Sequence, residues 1–270
     1  MLDLSAYLRR VGHAGPVAAD LATLHALSAA HVAAIPFENL DVLLGRGIDL
    51  RPEAIEAKLV HAGRGGYCFE QNTLFLHVLQ AIGFVARPLS ARVRMGRERH
   101  ETPPRTHVFV RVELEGESWL ADVGVGGLSL TGAIRFLPDA EQATPHEPRR
   151  IVPFDGRWLH QARLGERWED VCEFTLEEMP AIDREVASWF TSTHPDSHFR
   201  NRLVVARADG DGRRSVLNER MTRRNADGSA VVETFGSPEE LRAGLAAWFG
   251  LHFPPGTTFP LRPDGRIVAA

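Results

Sequence analysis

The residues with the most chemical potential lie in one short stretch, Gly63-Arg64-Gly65-Gly66-Tyr67-Cys68-Phe69-Glu70-Gln71-Asn72. Three glycines within four positions permit a tight turn with unusual backbone angles. The spacing of Phe75, Val78, Leu79 and Ile82, closed by Gly83, predicts a helix that begins near Cys68. At a helix N-terminus the partial positive charge of unpaired N–H groups favours thiolate over thiol, and a nearby imidazolium favours it further. A thiolate placed in this way is a nucleophile. Taken alone, a cysteine is most simply a small buried hydrophobe. The glycine turn and the helix start put the nucleophile reading of Cys68 level with that one. Cys172, in an alternating stretch with Val171 and Phe174, keeps it.

Partners for the thiol come from a hairpin. Thr106–Leu114 alternates, with Val108, Val110, Val112 and Leu114 on one face and His107, Phe109, Arg111 and Glu113 on the other. Glu115-Gly116 is a turn signal, and Glu117–Val123 returns as the partner strand. A two-residue turn pairs Leu114 with Glu117, so that Asp122 faces Phe109 and His107 is its diagonal neighbour. A four-residue loop puts His107 directly opposite Asp122. Either register brings an imidazole and a carboxylate into contact range on one face, and only an odd-length loop, barring a bulge, parts them. The carboxylate accepts from one ring nitrogen and leaves the other to face the thiol. A His–Asp pair by itself is most simply read as an ordinary cross-strand contact. The convergence of thiol, imidazole and carboxylate points to nucleophilic catalysis.

The elements that must position these groups are readable by period. Asp20–Ala34 carries Leu21, Leu24, Leu27 and His31 on a helical stripe that ends before Pro36, and Pro52–Ala62 reads as a second helix. After Gly83 the period falls from 3.6 to 2, with strand-like stretches at Ile151–Phe154, Trp158–Leu164 and Val171–Leu176. A helix is expected over Glu185–Phe190. In the tail, strands are expected over Arg202–Ala206 and Val231–Phe235, with turns at Asp209–Gly212 and Asp227-Gly228. Ser237, Pro238 and Glu240 form a capping box before Leu241, Leu245, Trp248 and Phe249, and Gly250 closes that helix. Helices, then antiparallel strands, then mixed structure read as an α+β fold in three blocks.

Composition bounds the rest. The chain has 270 residues, 44% hydrophobic and 24% charged, the balance of an ordinary globular protein long enough to need no disulfide or metal staple. A net charge of −4 and a pI near 6.3 argue against nucleic acid as a partner. All but one of the 31 basic residues are arginine, Lys58 being the single lysine. The start shows no signal peptide and no stretch is apolar enough to span a membrane, so a reduced, cytoplasmic setting is expected.

The stretches Ile35-Pro-Phe-Glu-Asn-Leu-Asp41, Arg64-Gly-Gly-Tyr-Cys-Phe-Glu-Gln-Asn72, Thr106-His107, Asp122-Val-Gly-Val-Gly126 and Ser192-Thr-His-Pro-Asp-Ser-His-Phe199 closely resemble the arylamine N-acetyltransferases. The resemblance spans most of the chain in family order. It implies a Cys68–His107–Asp122 triad of cysteine-protease-like logic and three domains. These are a helical bundle over 1–85 carrying the nucleophile, an antiparallel β-barrel over 86–190 carrying the histidine and aspartate, and a C-terminal α/β lid over 191–270. It further implies acetyl-CoA as cosubstrate, an arylamine, arylhydrazine or N-hydroxyarylamine as acceptor, and no metal. Gly124, Gly126 and Gly127, with Thr106, are the expected CoA contacts, and Phe37 and Val125 the expected acceptor contacts. Where many relatives carry an aromatic residue after Asp122-Val-Gly, this chain has Val125.

Other features carry less. Glu38 and Arg64 are candidates to pair and brace the loop before Cys68. His194 and His198 have metal-ligand spacing, but Pro195 spoils a helix there and no third ligand follows. Asp209-Gly-Asp-Gly212 begins like a calcium loop, yet Arg220 stands where the closing glutamate belongs. Among competing activities, an amide synthase of the same family in antibiotic biosynthesis differs little at this level. A cysteine peptidase or transglutaminase shares the triad logic without the other motifs, and a non-enzymatic scaffold would leave the triad idle. The physiological acceptor and the oligomeric state are not written in the sequence.

Overall fold

In the computed structural model, residues 2–210, 212–225 and 229–260 are described. The chain opens with α1 (Leu4–Arg10) and α2 (Leu21–Ala34), whose N-cap Asp20 accepts from the Thr23 amide. A two-residue strand β1 (Phe37–Glu38) and a short α3 (Leu40–Leu43) follow. α4 (Pro52–Glu56) runs into a π-helical turn, Ala57–His61, within the span expected to be one α-helix. α5 (Cys68–Ile82) starts at the cysteine and stops at Gly83, whose φ of +110° is open to glycine and strained for other residues. Leu24, Leu27, Phe75, Val78 and Leu79 pack with Val110 and Val112 in the largest apolar core, which joins the helices to the next layer.

That layer is a seven-stranded antiparallel sheet: β2 (Val85–Val93), β3 (His107–Leu114), β4 (Glu117–Ala121), β5 (Ile134–Arg135), β6 (Arg149–Phe154), β7 (Arg157–Leu164) and β8 (Arg167–Glu178). Their order is β5-β4-β3-β2-β8-β7-β6. The segment after β5 reaches the opposite edge, where Asp139 N–H donates to the Ile151 carbonyl at 2.8 Å, so the sheet is a nearly closed barrel. β2 was not expected as a strand: Pro88 lacks a ladder donor and a bulge follows it on the β8 side, which breaks the alternation. The β3–β4 turn settles the open register. Glu115 and Gly116 both have positive φ, 53° and 79°, as a two-residue turn matched to strand twist requires. Leu114 therefore pairs with Glu117 and Val110 with Ala121. Asp122 follows directly where the ladder ends.

α6 (Ala181–Thr193) begins four residues before the expected helix and crosses position 190. After α7 (His198–Asn201) come β9 (Val204–Asp209), β10 (Gly212–Leu217), β11 (Arg220–Asn225), β12 (Ala230–Thr234) and α8 (Pro238–Phe249). The second sheet runs β1-β9-β10-β11-β12, so it borrows its first strand from the opening block. β10 and β11 carry five arginines between them and escape a hydrophobicity pattern. They alternate all the same: Val216 and Met221 pack under α8 with Leu241, Leu245 and Phe249. The expected turn at Asp227-Gly228 lies outside the described residues.

Candidate active site

Cys68, His107 and Asp122 meet, all three buried, where the start of α5 abuts the barrel. His107 Nε2 donates to Asp122 Oδ2 at 2.7 Å, which leaves Nδ1 for the thiol of Cys68, within reach of the same ring. Cys68 Sγ also lies 3.6 Å from the Thr106 carbonyl. Burial alone would lower the imidazole pKa, but the Asp122 charge and hydrogen bond, helped by Cys68, raise it to about 10. Burial presses Asp122 the other way. The His107 charge and hydrogen bonds from His107, Asn72 and the Gly124 amide hold its carboxyl below the usual range. At neutral pH the ring is therefore an imidazolium beside the thiol.

One turn past Cys68 on α5, Asn72 ties the helix to the hairpin. Its Nδ2 donates to Asp122 Oδ1 at 2.9 Å and to the Val108 carbonyl at 2.7 Å, and its Oδ1 accepts from the Val123 amide at 3.0 Å. Asn72 escaped sequence reasoning because its role depends on the packing of helix against barrel; its only signal was the i, i+4 spacing from Cys68. Gly124 lets the two elements close. A Cβ there would stand 2.7 Å from Asn72 Nδ2 and 3.1 Å from the Cys68 Cα.

The loop before Cys68 rests on a compact ion network. Arg64 pairs with Glu38 at 2.5 Å, as its position suggested, and reaches Asp41 at 3.3 Å. Lys58, on the π-helical turn, bridges Asp41 at 2.8 Å and Glu70 at 2.7 Å. Glu70 Oε2 in turn accepts from the Tyr67 amide at 3.1 Å, capping α5 one residue before the nucleophile. A Cβ at Gly65 would collide with the Pro36 carbonyl, so the turn demands glycine there.

The remaining expected contacts are distributed unevenly. Phe37 shares an apolar cluster with Tyr67, Cys68 and Val108, and Gly126 lies against its ring. Val125 belongs to a different cluster, with Ala162 and Val171. The amides expected to face CoA phosphates are partly engaged: Gly124 N–H donates to Asp122 and Gly126 N–H to Ser129 Oγ, both at 3.1 Å. Gly127 is exposed. Beside Thr106, a cavity of about 410 Å³ opens between the loop before β3, the end of β8 and α6, with Met179, Ala187 and Phe190 as apolar wall.

The comparisons give the class: the chain is an acyltransferase, and a family model described as N-acetyltransferase matches residues 20–256. Within that class the chain belongs to the arylamine N-acetyltransferase family. It is 41% identical over 249 residues to the arylamine N-acetyltransferase of Escherichia coli K12, covering 92% of this chain and 88% of that one. The solved structure of the Mycobacterium smegmatis arylamine N-acetyltransferase superposes with a TM-score of 0.89 at 40% identity, covering 93% of each chain. The Mycobacterium marinum enzyme, solved in complex with CoA, gives 0.89 at 34% identity over 92% of each chain. A proansamycin X synthase of Amycolatopsis mediterranei is 28% identical over 249 residues, covering 90% of this chain and 95% of that one.

Proposed function

We propose that the enzyme moves an acetyl group from acetyl-CoA through an acetyl-Cys68 intermediate to the nitrogen of an arylamine or arylhydrazine, or to an N-hydroxyarylamine. The observation that carries this reading is the buried Asp122–His107 bond at 2.7 Å with the Cys68 thiol at the same ring. The Cys68 sulfur attacks the thioester carbonyl, and His107 gives its proton to the departing CoA sulfur. An amine then attacks the acetyl-cysteine, His107 takes the amine proton, and Cys68 leaves as thiolate. Exchange of one thioester for another is nearly isoenergetic, which suits a reversible carrier. The first-turn amides of α5, which no intrahelical carbonyl can satisfy, would hold the oxyanion. The CoA complex of the marinum relative supports CoA as the donor, and two free cysteines support work in the reduced cytosol. Identity of 41% to an acetyltransferase against 28% to a synthase favours acetyl transfer between molecules over amide synthesis within one.

Acetyl-CoA without acceptor should add a single acetyl group to Cys68, read by intact mass and peptide mapping. Double-reciprocal plots against both substrates should be parallel. An acetyl group on Cys172, or intersecting lines, would sink the mechanism.

A further inference from the structure

We propose that Arg149 and Arg213, joined through Glu147, are positioning residues: together they grip three successive carbonyls of the loop after Asp122 and so hold Asp122 against His107. The inference rests on the reading of Cys68, His107 and Asp122 given above. The loop leaves the hairpin at Asp122, turns at Gly126 with φ +92°, and closes on itself where Leu130 N–H donates to the Asp122 carbonyl at 2.7 Å. At its tip, Arg213 Nη1 donates to the Gly127 carbonyl at 3.3 Å and Nη2 to that of Ser129 at 3.0 Å. Arg149 Nη2 takes the one between, Leu128, at 3.0 Å. Glu147 fastens the two guanidiniums. It accepts from Arg213 Nε at 2.5 Å and Nη2 at 2.7 Å, and from Arg149 Nη2 at 3.0 Å.

Arg149 is fully buried and Arg213 nearly so. Two buried cations share one bonded carboxylate, Glu147, with the Asp122 charge farther off, and the three loop carbonyls supply dipoles that solvate them. The loop is thus fixed by the charges beneath it. Arg149 comes from β6 and Arg213 from β10, so the barrel and the second sheet are clamped to the same loop. A lysine cannot replace the Arg213 fork, because one ammonium has no rigid geometry to span two carbonyls and a carboxylate. On its far side Arg149 Nη1 donates to His160 Nε2 at 3.3 Å, and burial, with the Arg149 charge, keeps that ring neutral.

The test compares Arg213→Met, Arg213→Lys and Glu147→Gln with Arg94→Met, which breaks another buried pair, Arg94–Glu173 at 2.8 Å, whose guanidinium bonds Glu98, Glu101 and Glu173 and not the loop. Two readouts are taken: acetylation of Cys68 by acetyl-CoA alone, and the NMR resonance of the proton between His107 and Asp122. Arg213→Met should cut the saturated acetylation rate about tenfold with little change in half-saturation, and should shift or broaden the resonance. Arg213→Lys should recover only part of both. Arg94→Met should lose comparable thermal stability and leave both readouts as in the wild type. The clamp is overturned if Arg213→Met matches the wild type in both, or if Arg94→Met disturbs them equally. Should Arg213→Met fail to fold, Glu147→Gln carries the same comparison. If even the wild type forms no acetyl-Cys68, the reaction reading fails instead, and the His107 resonance alone still decides the clamp.

Discussion

The protein holds two cysteine–histidine pairs with opposite electrostatics. Cys68 faces an imidazolium sustained by Asp122. Cys172 Sγ lies 3.9 Å from His160 Nδ1, but burial, with Arg149 beside it, drops that ring to about 3, and burial raises the Cys172 thiol. Iodoacetamide should therefore alkylate native Cys68 and spare Cys172, as read by peptide mapping. Asp122→Asn should slow alkylation of Cys68 at pH 7, because burial then acts unopposed on His107 and the cation beside the sulfur is lost. The same change has a stability signature. A raised His107 pKa adds stability in full below about 6.5, its unfolded value, and loses it as pH climbs toward 10. A lowered Asp122 pKa adds stability above about 4 and loses it as pH falls through the folded value. In Asp122→Asn a buried neutral His107 instead costs stability below about pH 6.5. The melting-temperature gap between the two proteins should thus widen steadily from pH 9 down to pH 5. A gap independent of pH would mean that no ion pair forms. Near pH 6 breaking the pair should cost about 3 kcal/mol.

At the scale of elements, the site depends on how closely α5 meets the end of β4. Gly124→Ala forces its methyl into Asn72 and the Cys68 backbone, so stability should fall by about 1–3 kcal/mol by chemical denaturation. Acetylation should fall with it, because the displaced groups are those that orient Asp122. The cap of α8 offers a contrast. Ser237 Oγ accepts from the Glu240 amide at 3.1 Å, and Glu240 reaches back to the Gly236 amide at 2.7 Å. Ser237→Ala should cost about 1 kcal/mol and leave acetylation unchanged, since α8 packs on the second sheet away from Cys68.

Across the whole molecule, Asn39 is a principal fastening between the opening block and the last. Its Nδ2 donates to the Phe199 and Arg202 carbonyls, each at 2.7 Å, and its Oδ1 accepts from the Val204 amide at 2.8 Å. Phe199, held in this way, lays its ring on Phe37 and Tyr67, with centroids 5.8 and 6.0 Å apart. Asn39→Ala removes three hydrogen bonds to backbone groups in a largely buried place and should cost about 1–3 kcal/mol in thermal unfolding. With Phe199 loosened over Phe37, the KM for the acceptor should rise while acetylation of Cys68 by acetyl-CoA stays near the wild-type rate. Equal losses in both half-reactions would place Asn39 in the fold alone.

Local patterns determined much of this protein. The helix start at Cys68, the Glu115-Gly116 turn, the alternation that sets His107 near Asp122 and the Ser237 cap all follow from backbone geometry and period, which act over a few residues. Motif order carried the family. Other features needed the tertiary structure, because they join residues far apart in sequence through groups with no local pattern. Asn72 binds three groups on the hairpin some 36 to 51 positions away. Lys58 is one ordinary lysine until the π-helical turn aims it at Asp41 and Glu70. β10 and β11 show no strand pattern in hydropathy because arginine stems pack while their heads stay polar, a distinction that hydropathy cannot make. Arg149, Glu147 and Arg213 become a clamp only when the barrel closes and the second sheet lies against it. A buried charge is tolerated only where its partners already stand, and the packing of distant elements decides where that is.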